Sequence, residues 1–67
     1  MELSARNQLK GIVKKVTLGA VMAEVVVDVG GQEVVAAITQ SSAKRLKLKK
    51  GDKVTAIVKA TEVLIGK

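Results

Sequence analysis

Apolar and polar residues alternate through most of this chain, with a period of two. The alternation is cleanest from Val21 to Val29, where Val21, Ala23, Val25, Val27 and Val29 fall on one face and Met22, Glu24, Val26 and Asp28 on the other. That period is the signature of a strand with one buried side. Gly30-Gly31 comes next, and paired glycines supply the positive φ angles of a tight hairpin. Beyond it, Val34, Ala36 and Ile38 alternate with Glu33, Val35 and Ala37, predicting the second arm. Upstream, Leu9 to Val16 mixes apolar with basic residues around Gly11, where a bulge or a close backbone approach is expected.

The pattern breaks at Thr39. Thr39-Gln40-Ser41-Ser42-Ala43-Lys44-Arg45-Leu46 reads as one or two helical turns, with a Thr or Ser cap at the start and bases near the end. Both features complement the helix dipole. Leu48-Lys49-Lys50-Gly51-Asp52 predicts a turn, and Val54, Ala56 and Val58 a further strand. Ala60-Thr61-Glu62 is a short break before a last strand, Val63 to Ile65. Five strands with one short helix between the third and fourth predict an all-β fold, a small Greek-key barrel of OB type. No linker, repeat or low-complexity tract divides it, so residues 1–67 are read as one domain.

Composition changes this picture in one respect. Of 67 residues 48% are apolar, yet there is no Cys, His or aromatic side chain. Disulfides are excluded, and a structural zinc site has neither of its usual ligands. A chain this short buries a modest share of its surface alone. The aliphatic excess therefore points to burial against other copies of the chain. There is no Pro to protect the strand edges, which intersubunit pairing would also cover.

Charge narrows the function. Twelve Lys and Arg against six Asp and Glu give +6, which favours an anionic partner. No apolar stretch approaches the ~20 residues of a membrane-spanning helix. The opening Met-Glu-Leu-Ser-Ala-Arg carries no apolar signal region, and a cytoplasmic location is the default expectation. Catalysis has little footing without His, Cys or Tyr, and the six carboxylates are scattered rather than paired. The chain is read as a binding protein and not an enzyme.

Three clusters could bind an anion, and each also has an ordinary structural reading. Ser4-Ala5-Arg6-Asn7-Gln8 concentrates hydrogen-bond donors, or is simply a polar arm. Thr39, Ser41 and Ser42 offer hydroxyls and free N–H groups at a helix start, or cap the helix and no more. Lys59 ends a strand before Ala60-Thr61, or is a solvated lysine. A fourth cluster, Lys44, Arg45, Lys47, Lys49, Lys50 and Lys53, resembles a nucleic-acid patch. Single-strand binding by OB folds normally adds stacking aromatics, and this chain has none, so a solvated face explains the run better. A small basic regulator gripping nucleic acid is the alternative function, and a ligand-free oligomerisation module the third.

Taken together, these segments resemble a known family. Ser4-Ala5-Arg6-Asn7-Gln8-Leu9-Lys10-Gly11 is similar to the opening motif of the molbindin, or Mop, domain. Ala37-Ile38-Thr39-Gln40-Ser41-Ser42 and Val58-Lys59-Ala60-Thr61-Glu62-Val63 resemble its second and third motifs, so the likeness runs from Ser4 to about Ile65. The resemblance implies an OB-like barrel, dimers that exchange strand elements, and a homohexamer built as a trimer of dimers. It implies molybdate or tungstate as the bound ligand, held between subunits and not by direct protein ligands to the metal. Ser4 and Arg6 of one subunit would meet Thr39, Ser42, Lys59 and the backbone of Ala60 from a neighbour. A second kind of site would lie on the threefold axis, whose residues the resemblance does not identify, and the role of Thr61 stays open. The implied role is storage, buffering or delivery of the oxyanion by a free-standing single-domain protein.

Overall fold

Strand β1 runs over Asn7–Leu18 and organises everything else in the computed structural model, which describes residues 1–67. Strands β2 (Met22–Val29), β3 (Gln32–Thr39) and β4 (Lys53–Val58) complete one antiparallel sheet in the order β3-β2-β1-β4. The two halves of β1 have different partners. Its first half pairs with β4, from Asn7↔Val58 to Ile12↔Lys53, and its second half with β2, from Ile12↔Asp28 to Leu18↔Ala23. The register slips between Val13 and Lys15, so the bulge expected near Gly11 falls at Lys14. Gly11 is instead the close approach: a Cβ there would lie 2.5 Å from the Asp28 carbonyl oxygen and 2.6 Å from Val27 Cγ1. The predicted strand from Leu9 to Val16 is longer at both ends because Asn7, Gln8, Thr17 and Leu18 pair through their backbones without extending the apolar alternation.

The β2–β3 hairpin forms as its glycines require, with φ of 63° at Gly30 and 91° at Gly31. Asp28 Oδ1 accepts from the Gly31 N–H at 2.9 Å and closes the turn. Helix α1 (Gln40–Arg45) starts where the alternation fails. Thr39 is its N-cap, accepting from the Ser42 N–H at 3.1 Å, and Ala43 is its buried residue. Its far end is closed by Leu48 N–H donating to the Ala43 carbonyl and Lys47 N–H to that of Lys44. This two-bond closure puts Lys47 in the left-handed region, with φ of 53°. A single 3₁₀ turn, Ala60–Glu62, follows β4.

Val13, Val25 and Val27 form the core, with Val16, Val29, Ala36, Ile38, Leu48 and Val54 packed around them. Five residues in all are buried, the remaining two being Ala23 and Ala43. The inward alternation of Ala23, Val25 and Val27 is as the sequence predicts, while Val21 lies outside β2 and is 73% exposed. Each buried valine contributes on the order of 1.5 kcal/mol, a small return against an ordering cost of ~1–2 kcal/mol for every residue's backbone.

The fold differs from the sequence expectation at its C-terminal end. Val63 to Ile65 forms no strand: Val63 N–H closes the preceding 3₁₀ turn on the Ala60 carbonyl, no strand pairs with the segment, and Leu64 and Ile65 are 92% and 90% exposed. The sheet has four strands, not five, and stays open between its edges β3 and β4. Across that opening lies an apolar trough of ≈ 470 Å³, lined by Val25, Val27, Val34, Ile38, Val54 and Val58 among others. No helix is long and apolar enough to cross a membrane.

Candidate functional site

The β1–β4 register determines what meets what at the start of β1. Asn7 opposes Val58, so continuing the antiparallel count carries Arg6 towards Lys59, Ala5 towards Ala60 and Ser4 towards Thr61. All six line one surface pocket of ≈ 240 Å³. Neither of the chain's two ion pairs, Lys14–Glu33 and Lys49–Asp52, involves Arg6 or Lys59. Two cations without carboxylate partners thus flank a pocket whose other side-chain donors are the hydroxyls of Ser4 and Thr61. Lys59 is the extended residue before the 3₁₀ turn, and the N–H groups of Ala60 and Thr61, which open that turn, have no partner within it.

Ala5 and Thr61 are additions to the sequence-derived set. Ala5 lines the pocket between Ser4 and Arg6, and Thr61, whose role the family resemblance leaves open, takes a place in the lining. The signal for both was available in the antiparallel register, which sequence alone does not disclose.

The hydroxyl cluster lies elsewhere. Thr39 Oγ1 donates to Ser42 Oγ at 2.7 Å and lies 3.3 Å from Ser41 Oγ. Thr39 opposes Met22, one residue before the Ala23↔Leu18 pair that closes the β1–β2 ladder. Ser4, Arg6, Lys59 and Ala60 therefore gather at the beginning of β1, and Thr39 and Ser42 beside its end. Neither Thr39 nor Ser42 lines the pocket at the start of β1. One chain does not bring the two groups into one pocket.

The chemistry of both groups suits an oxyanion. They offer N–H, O–H and cationic donors, with no carboxylate in the pocket lining. No three His, Cys, Asp or Glu side chains come together to hold a bare cation. In the basic run, Lys49 is paired with Asp52 at 3.2 Å; the Asp52 carboxylate, accepting from the Lys49 backbone N–H, is held below its ordinary pKa of 3.8. At least this part of the run builds the turn before β4.

Comparison with known proteins agrees over the whole chain. The TOBE domain model matches residues 3–65. Molybdenum-pterin-binding protein 3 of Clostridium pasteurianum is 47% identical over 66 residues, covering 97% of each chain. A molybdate-binding protein of Sporomusa ovata shares the fold with a TM-score of 0.95 at 52% identity over the full length of both chains. The cytoplasmic molybdate-binding protein ModG, solved with molybdate bound, superposes with a TM-score of 0.85 at 43% identity, covering 90% of this chain and 43% of its own. This chain belongs to the TOBE-domain family and, within it, to the molbindin or Mop group.

Proposed function

We propose that the chain binds molybdate, or the similarly shaped tungstate, in pockets built by two copies together, and holds the anion in the cytoplasm for storage, buffering or delivery. The observation that carries this reading is the division of the donor set between the two ends of β1. Ser4, Arg6, Lys59 and Ala60 form one half-site and Thr39 and Ser42 the other, so a complete shell requires that two chains meet end to end. Molybdate is a tetrahedral dianion whose oxygens all accept hydrogen bonds. The Ser4 and Ser42 hydroxyls and the Ala60 N–H would donate to it, and Thr39 on turning its proton away from Ser42, while Arg6 and Lys59 offset the cost of desolvating two negative charges. Binding of this kind asks no proton transfer, redox change or bond cleavage of the protein. The likeness to two molybdate-binding proteins, at 52% and 43% identity, supports the ligand class, and the likeness to a molybdenum-pterin-binding protein agrees with it.

Assembly completes the fold in the same reading. A strand supplied by a second copy closes the barrel over the apolar trough, and the unpaired Val63–Ile65 segment is the natural element to exchange. Dimers so formed associate by threes into a hexamer.

Titration calorimetry with molybdate, tungstate and sulfate on one preparation tests the proposal. Molybdate and tungstate should saturate, and sulfate, with its shorter bonds to oxygen, should not compete at equal concentration. Arg6→Ala should weaken molybdate by on the order of 2–5 kcal/mol, and the exposed Lys50→Ala by almost nothing, its charge being screened within ~8 Å at physiological salt. Equal competition by sulfate, or a monomer by light scattering with molybdate bound, overturns it.

A further inference from the structure

The geometry points to Gln8 as a positioning residue for the anion pocket, acting through the backbone of the arm that carries Ser4 and Arg6. The arm lies outside the sheet: the β1–β4 ladder stops at Asn7, and no backbone–backbone hydrogen bond beyond the strands and helix involves Ser4, Ala5 or Arg6. One hydrogen bond ties it down. Gln8 Nε2 donates to the Ala5 carbonyl oxygen at 2.7 Å, reaching back three residues from the anchored strand. Ala5 sits between the two residues whose side chains face the anion, and all three line the pocket. Fixing its carbonyl fixes the peptide planes on either side, and with them the directions in which Ser4 and Arg6 leave the chain. Without that bond the arm must be ordered by the ligand, and the entropy of ordering subtracts from affinity.

This inference rests on the proposed molybdate site, and the test separates the two. Gln8→Met keeps the length and removes the donor; Gln8→Glu keeps the shape but presents a carboxylate to the Ala5 carbonyl at neutral pH. Gln8 is exposed, so both variants should melt close to the parent without ligand. Calorimetry with sodium molybdate should show affinity about threefold to tenfold weaker at unchanged stoichiometry, the range for one lost hydrogen bond. A double-mutant cycle supplies the readout that a general structural role would not move. Since the same bond aims Ser4 and Arg6, Gln8→Met in an Arg6→Ala background should cost clearly less than it does in the parent, though not nothing. Full additivity, or parental affinity in Gln8→Met, overturns the positioning role and leaves the molybdate site standing. Failure of the parent protein itself to bind molybdate overturns both.

Discussion

Lys47 occupies a backbone conformation that its side chain disfavours, and the reason lies in its neighbours. The two hydrogen bonds that close α1 both require the residue after Leu46 to be left-handed, a place where glycine is usual. Lys47→Gly should therefore raise stability by about 0.5–1 kcal/mol, read as an increased midpoint in urea denaturation. Asp52 presents the opposite case, a residue well matched to its place. Its pKa is lowered chiefly by the Lys49 backbone N–H and next by the Lys49 ammonium. A group whose folded value is depressed stabilises the fold fully above its ordinary value and loses that contribution as pH falls through the folded one. The expected result is an acid limb of stability below about pH 4 that flattens in Asp52→Asn, measured by melting temperature against pH. Residues differ in how openly the sequence declares such roles. Gly30-Gly31 announces its hairpin because only glycine tolerates both angles readily, whereas nothing about a lysine announces a left-handed turn.

Among the elements, β1 bears the tightest packing constraint. Gly11 lies so near β2 that any side chain meets the Asp28 carbonyl, which cannot move without breaking the ladder. Gly11→Ala should cost on the order of 1–3 kcal/mol in chemical denaturation, while Gly66→Ala, in open space, should be neutral. The sequence left Gly11 as either a bulge or a point of close approach, of which the structure shows the second, and the alternation in β2 and β3 identified their inner faces, because burial on one side of a pleated strand leaves a readable period. It overextended the count of strands. Val63-Leu64-Ile65 has a strand's composition, but a strand exists only where another backbone accepts its hydrogen bonds, and residues do not say whether that backbone is their own. The candidate site was legible as separate motifs, but their grouping was not: the family resemblance sets Lys59 and Ala60 with Thr39 and Ser42 on a neighbouring subunit, whereas the pairing register puts them beside Ser4 and Arg6 of the same chain.

At the scale of the molecule, five buried residues face a surface that includes Met1, Val21, Leu64 and Ile65, each more than 70% exposed. In the proposed assembly, association would take part of that surface out of water, while each added copy would bring six net positive charges that repel the rest. A dianion bound between subunits, as proposed, would relieve the repulsion locally and stabilise the assembled state by ~2.7 kcal/mol per site at a hundredfold excess over Kd. Molybdate should thus raise the melting temperature well beyond sulfate at matched ionic strength, and the increment should shrink in Lys59→Ala but persist in Lys50→Ala. If the two groups along β1 are half-sites, as proposed, a genetic consequence follows as well. A subunit bearing Arg6→Ala is defective at one end only, and one bearing Ser42→Ala at the other. Unfolded together in equal amounts and reassembled, the two lesions should complement each other, with roughly one contact in four drawing both intact halves from different parents. Two preparations that bind molybdate poorly would become, as a mixture, one in which a quarter of the pockets bind like the parent.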